Sequence, residues 1–266
     1  LDMWPHTLEA IGIIKSKRLI KIFEFIFMSF YKSFDKILIA SKSFEIIAKK
    51  RIQNSKIDYF PNWADKEFES LNLETLSPKK NDNIVITYTG NIGEAQGFES
   101  LIEAIKISKN KKIKFNFVGT GRYKFTLRKL IEKNKLESQI TLIDPVSSKD
   151  LIRYFKKTHY LYVSLKKSSI FFKTVPAKLQ TYLAIGKPII SSISGESKDI
   201  LKLNNCGPNT DAGDIKGLVQ IFNNINKISD REYKQFSRNT KKLYNERFSS
   251  LKRRSQLFNL LIDKKT

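Results

Sequence analysis

The chain has 266 residues, of which 41% are hydrophobic and 12% aromatic. That is enough for one large domain or two small ones and excludes a disordered chain. A single cysteine, Cys206, excludes a disulfide framework and suits a reducing compartment, and no apolar run reaches the roughly 18 residues of a spanning helix. The formal net charge of +23 points either to phosphate-bearing partners or to a solvated lysine-rich surface.

Residues 16–33, SKRLIKIFEFIFMSFYKS, are basic at first and then strongly apolar, with the length of a helix. KILIA (36–40) reads as a short buried strand, SKSFEIIAKKR (41–51) as a helix with Ser41 as its N-cap, and KIDYF (56–60) as a strand running into PNWAD (61–65). This β-α-β order predicts parallel pairing. Polar residues 69–83 read as a linker. Beyond it the alternation is more regular. Strands are predicted at 83–90, 112–121, 139–144 and 159–165, and helices at 97–109, 123–135 and 147–157. The stretch 171–190, FFKTVPAKLQTYLAIGKPII, gives a helix opened by Pro176 and closed by Gly186, then a further strand. Helices follow at 213–226, 230–247 and 249–262. Such alternation predicts an α/β fold with a doubly wound parallel sheet, whose ligands bind in loops at the carboxyl ends of the strands.

Three of those loops have a composition suited to phosphate. TGNIGEAQGFES (89–100) places Gly90, Gly93 and Gly97 between a strand and a helix, so the main chain can approach a ligand closely. FVGTGRYK (117–124) resembles half of a dinucleotide fingerprint, with Lys124 where the third glycine belongs, and does not read as an NAD site. The helix opened by Pro176 carries free N–H groups, with Thr174 near its cap and Lys178 one turn in, where a diphosphate could sit; from local pattern alone Lys178 reads rather as a surface lysine on a packing helix. His6 and His159 are far apart and Cys206 is alone, so no cluster has metal-ligand spacing, and His159 reads as structural. There is neither a GxxxxGK[ST] loop nor a GxSxG elbow.

DMWP (2–5), PNWAD (61–65), TGNIGEAQGFESLIEA (89–104), VGTG (118–121), KTVPAKLQTYLAIGKPII (173–190), GE (195–196) and CG (206–207) occur in this order, and together they resemble the GT-B glycosyltransferases of family 4. The branch is the one that transfers amino- or deoxy-sugars in bacterial surface polysaccharide synthesis. The resemblance implies a GT-B type fold, with a doubly wound Rossmann-like C-terminal domain and a partial N-terminal Rossmann-like domain. It implies boundaries at 1–75 (end of the acceptor-side domain and linker), 76–240 (nucleotide-sugar domain) and 241–266 (a C-terminal helix crossing back). It also implies that the first part of the N-terminal domain precedes Leu1.

By the same resemblance, Gly90, Asn91, Ile92, Gly93 and Gln96 would face the donor, Gly119 and Gly121 would line the nucleotide pocket, and Thr174, Val175, Pro176, Lys178 and Leu179 would meet the diphosphate. Asp2 and Glu196 are the catalytic candidates; Trp4 would border the cleft with Asp2, while His6 replaces a glutamate of relatives. Lys173 and Thr181 stand where many relatives carry two glutamates, so no carboxylate at 181 can read a ribose.

The implied activity is a retaining, metal-independent transfer from a nucleotide-sugar, expected to be UDP-linked, to a lipid-linked or glycan acceptor in polysaccharide or lipopolysaccharide synthesis. No cofactor, metal or nucleic acid is expected. The expected location is cytoplasmic, peripheral on the inner face of the membrane through 16–33, where Arg18, Lys21 and Lys32 would meet anionic headgroups beside Phe23, Phe25, Phe27 and Phe30. A core helix of the acceptor domain is the competing reading of that segment. A nucleotide-binding remnant without activity and a polyanion-binding α/β protein remain open as alternatives.

Overall fold

The computed structural model describes residue 14 and residues 16–49, 56–71 and 82–262. Its main body is a six-stranded parallel sheet in the order β5-β4-β3-β6-β7-β8. The strands are β3 (Ile84–Thr89), β4 (Ile113–Val118), β5 (Ile140–Ile143), β6 (Tyr160–Ser164), β7 (Ile189–Ser192) and β8 (Asn209–Thr210). The chain builds outward from β3 to β5, crosses back to lay β6 beside β3, and builds outward again. The order therefore reverses between β3 and β6, the topological switch point at which such sheets bind ligands.

Alternation within β3 explains its central place. Ile84, Ile86 and Tyr88 are wholly buried in one hydrophobic cluster, while Thr87 and Thr89 point the other way, towards the Thr158 hydroxyl and the Tyr182 hydroxyl. The first cluster also takes Phe98, Leu101 and Ile105 of α4 (Phe98–Ile107), Leu127 and Ile131 of α5 (Lys124–Lys133), and Leu218 and Phe222 of α9 (Ile215–Asn224). A second cluster on the opposite face of the sheet is built by Leu179, Tyr182 and Leu183 of α7 (Lys178–Ile185), Ile200 and Leu201 of α8 (Glu196–Leu203), and Leu243 and Tyr244 of α10 (Asp230–Arg247). Phe155 of α6 (Ser148–Lys157), whose N-cap Ser147 accepts from the Asp150 N–H, joins this second cluster.

The other lobe is small. Strands β1 (Ile37–Ile39) and β2 (Ile57–Tyr59) pair in parallel, as their order predicts, and α1 (Lys17–Ser33) and α2 (Lys42–Lys49) flank them. Helix α3 (Lys66–Glu69) begins the segment read as a linker, whose residues 72–81 lie outside the described ones. Phe44, Ala64 and Phe68 belong to the second cluster of the main body, so the small lobe rests on the large one through apolar contacts.

The C-terminal end returns to the small lobe. α10 runs unbroken through residues 240 and 241, so the boundary expected there falls inside a helix; the chain bends at Phe248. α11 (Ser250–Ile262) then starts with the Ser250 N–H on the Glu69 carboxylate (2.9 Å), and Gln256 donates to the Tyr59 carbonyl (2.7 Å). α1 buries only Ile20 and leaves Leu19, Ile22, Phe23, Phe25, Ile26 and Phe30 exposed among the described residues.

Candidate active site

Two loops meet at the switch point. The chain leaves β3 at Thr89 and turns through Gly90, Asn91, Ile92 and Gly93. Gly90 donates its N–H to the Val118 carbonyl (2.9 Å) and Ile92 to that of Thr120 (2.7 Å), which stitches this loop to the one after β4. Gly119 makes the seam possible: at φ +150° a Cβ there would stand 2.1 Å from the Gly90 carbonyl oxygen, so the two backbones touch only because that atom is missing. Gly121 abuts the Ile92 carbonyl in the same manner. Lys124, in the place of the third fingerprint glycine, secures the seam by donating to the Gly119 carbonyl (3.0 Å) and pairing with Asp144 (2.6 Å).

The second loop is the start of α7. Lys178 extends across the switch point to β3, where its ammonium donates to the Tyr88 hydroxyl and sits 3.7 Å from the centre of the Tyr88 ring. Tyr88 in turn donates to the Asn91 carbonyl (2.5 Å), so lysine, phenol and glycine-rich loop form one hydrogen-bonded series. Desolvation lowers the Lys178 pKa to about 7 and raises that of Tyr88 far above the usual phenol range. Lys178 makes no ion pair with a carboxylate among the described residues. Beside it the N–H groups of Ala177 and Lys178 have no backbone acceptor among the described residues. A partly desolvated ammonium, two amides without a backbone acceptor and a helix start all favour an anion at one point.

A pocket of roughly 250 Å³ opens next to this point, between the lobes. Ala40, Ser41, Phe44 and Asn62 form its small-lobe wall, and residues 174–177 form the other. Among the described residues, no three His, Cys, Asp or Glu side chains gather to hold a metal ion.

The sequence-predicted residues divide accordingly. Gly90, Asn91, Pro176 and Lys178 border the crevice, with Gly90 and Asn91 exposed. Ile92, Val175 and Leu179 turn their side chains into the core instead, and Ile92 also spends its carbonyl on the Tyr123 N–H. Gln96 accepts from the Gly93 N–H (2.9 Å) and so closes the loop on itself; with the Gly90 N–H on the Val118 carbonyl, both glycine amides are occupied. The loop therefore offers close approach rather than an amide cradle. Gly119 and Gly121 shape the seam, and the Thr174 hydroxyl is bound to the Ile170 carbonyl (3.0 Å).

Glu196 points to the small lobe: its carboxylate accepts from the Lys42 N–H (2.9 Å), the Ser43 N–H (2.6 Å) and the Ser41 hydroxyl (2.5 Å). The Ser41 hydroxyl thus caps nothing in its own helix. Asp2, Trp4 and His6 lie outside the described residues. Tyr88 is the partner that sequence reasoning missed. Its one signal is a hydroxyl-bearing aromatic two residues before the glycine at the end of a central strand.

A doubly wound sheet with an anion-ready crevice at its switch point, walled by a second βαβ lobe, has the architecture of GT-B glycosyltransferases. Solved structures of that fold superpose on it. HepE of Anabaena in complex with UDP-glucose does so with a TM-score of 0.73 at 14% identity, over 90% of this chain and 66% of that one. The lipopolysaccharide outer core galactosyltransferase WaaB gives 0.66 at 17% identity, over 87% and 62%. Residues 73–243, well over half of the 266, match the family model of glycosyl transferases group 1, and the chain belongs to that family.

Among curated proteins it is similar to glycosyltransferase WbjE of Pseudomonas aeruginosa, with 24% identity over 238 residues, 84% of this chain and 58% of that protein. It is also similar to the colanic acid biosynthesis glycosyl transferase WcaI of Escherichia coli K12, with 28% identity over 147 residues, 52% and 35% of the two lengths. The chain thus spans little more than half of the one relative and about a third of the other.

Proposed function

We propose that the protein carrying this chain transfers a sugar from a UDP-linked donor to a lipid-linked or glycan acceptor in the synthesis of bacterial surface polysaccharide or lipopolysaccharide, with retention at the anomeric carbon and without a metal ion. The observation that carries this reading is Lys178: a desolvated ammonium with no carboxylate partner among the described residues, held at a helix start on the switch point. A diphosphate would restore its favoured charge. As the sugar–phosphate bond breaks, its electron pair leaves with the diphosphate, and the growing negative charge meets Lys178 and the Ala177 and Lys178 amides. Groups fixed before the reaction stabilise that charge most where it is largest, in the transition state. A positive field of this kind does the work that a divalent cation does in other sugar transfers, which is why a metal-free reaction is proposed.

The nucleotide choice follows the UDP held by HepE, and the biological setting follows the names of WcaI and WaaB. Attachment to the inner face of a membrane through α1 belongs to the same proposal. Lys17, Arg18, Lys21 and Lys32 flank its exposed Leu19, Ile22, Phe23, Ile26 and Phe30, while no helix among the described residues is long and apolar enough to cross a membrane.

Calorimetry with UDP tests the central part. Binding is expected, with Lys178→Met weakening it roughly tenfold to a hundredfold, the range for losing a charge-assisted contact. Equal affinity in both proteins, or no heat with either, would remove the basis of the reading.

A further inference from the structure

Glu196 lies at the start of α8, and its carboxylate leaves its own lobe altogether. One oxygen accepts from the Lys42 N–H (2.9 Å), the other from the Ser43 N–H (2.6 Å) and the Ser41 hydroxyl (2.5 Å). These are the first amides of α2, the ones a helix leaves without internal partners. The N-terminus of α2 is therefore capped by a charge 155 residues away in sequence. The same Ser41 hydroxyl also faces the Lys173 carbonyl, on the turn that leads into α7, so the two acceptors share its single proton.

Backbone geometry aims the carboxylate. Gly195 has φ +73°, and a Cβ there would stand 2.0 Å from the Phe172 carbonyl oxygen, so α8 starts pressed against that turn. Ser197 adds a bond to the Thr174 carbonyl (2.8 Å). Residues 172–174 and 195–197 thus form one welded edge of the large lobe, and Ser41, Lys42 and Ser43 are its counterpart on the small lobe. The pocket between the lobes runs along this seam, with Ser41 on one wall and Thr174 on the other.

We infer that Glu196 is a positioning residue: its carboxylate, as an interlobe cap on α2, sets the register of the acceptor-side lobe against the donor-side lobe and so fixes the width of the pocket beside Lys178. This deepens the glycosyltransferase reading and depends on it for the meaning of the two lobes, though not for the clamp itself. The device suits a two-lobed enzyme. The cap forms only when the lobes are in register, so the charge–dipole attraction at α2 is available to closure and lost on opening. Glu196 touches none of the groups gathered around Lys178, so the clamp and donor binding are separable.

Hydrogen exchange on the 266-residue chain, with and without millimolar UDP, provides the test, alongside spin-label distances between Lys49→Cys on α2 and Leu203→Cys on α8; Cys206 is buried. In Glu196→Gln, exchange at the Lys42 and Ser43 amides should rise roughly tenfold or more, as expected for losing a charge-assisted bond. The interlobe distance distribution should broaden to longer values, and the UDP dissociation constant should stay within about twofold, as Glu196 is bonded to Ser41, Lys42 and Ser43 and, among the described residues, to no group at the Lys178 anion point. Ser41→Ala, which keeps the carboxylate, should broaden the distances less, and it serves should the glutamine variant not fold. Unchanged exchange and distances would overturn the clamp, and a large loss of UDP affinity in Glu196→Gln would make Glu196 a donor contact instead. A wild-type chain that binds no UDP would count against the donor reading alone, since exchange and distances still decide the role of Glu196.

Discussion

At the scale of single residues, the central one is Lys178, whose surroundings disfavour its charge and whose ammonium is held on Tyr88. Its pKa lies at about 7 because burial removes water and only a phenol replaces it. The consequence has a definite sign. Above pH 7 the free ammonium is increasingly deprotonated, while a bound diphosphate favours the protonated form. UDP binding therefore takes up a proton, and affinity should fall as pH rises from 7, approaching tenfold per unit until the bound-state pKa is reached. Calorimetry in buffers of different ionisation enthalpy measures that proton, and a pH-independent affinity over pH 7–9 would refute the coupling. Gly119 gives a second residue-scale prediction. Gly119→Ala forces a methyl group to 2.1 Å from the Gly90 carbonyl, at a φ that side chains rarely adopt, and should cost about 2 kcal/mol or more in urea unfolding.

Residue-level reading of the sequence goes part of the way here. Pro176 and the family pattern single out Lys178, and the glycines single out the seam. Glu196 shows the limit: nothing local to GE reveals that its carboxylate serves a helix in the other lobe, because the contact spans 155 residues.

At the scale of elements, periodicity was sufficient for most of the fold. The apolar spacing of 97–109 and 123–135 gives α4 and α5, and the serine before 148–157 does cap α6. What periodicity misses is what tertiary contact decides. β8 is two residues long and exists only because β7 offers it an edge, and α2 takes its cap from Glu196 rather than from its own Ser41. α1 reads as a core helix from its many apolar faces, yet the described residues cover only the face that holds Ile20.

His159 is an element-scale case that the sequence does suggest. It opens β6, and its Nδ1 accepts from the Val85 N–H (3.0 Å), which ties β6 to β3 and requires a neutral ring. Burial first, and the Lys187 charge second, push its pKa below the usual 6.5. Below 6.5 the unfolded chain binds the proton more readily than the folded one. Stability should therefore be complete above pH 6.5 and be lost progressively as pH falls through the depressed folded value. Urea unfolding of the wild type and of His159→Asn, whose side-chain oxygen can still accept from Val85, should show the acid slope shrinking in the variant. An unchanged slope would mean that other groups carry it.

At the scale of the whole molecule, the candidate site lies where two lobes meet along one edge. The large lobe brings its switch point and α7; the small lobe adds Ala40, Ser41, Phe44 and Asn62 as the opposite wall. Among the described residues the ties between them include Glu196 on α2, the Ala64 N–H on the Tyr244 hydroxyl (3.2 Å), Lys241 on the Glu69 and Leu71 carbonyls (3.2 and 3.1 Å), and α11 returning to Glu69 and Tyr59. A net charge of +23 surrounds this arrangement and favours the approach of a dianionic nucleotide, more so at low salt. The class of fold was legible from strand–helix alternation, but which loops face each other was not, since a single sequence does not show where the strand order reverses.

The most direct test is a crystal structure of the chain grown with UDP. The account predicts phosphate oxygens within hydrogen-bond distance of Lys178 Nζ and of the Ala177 or Lys178 N–H, beside Gly90. Nucleotide bound elsewhere, with Lys178 still seated on Tyr88, would contradict it.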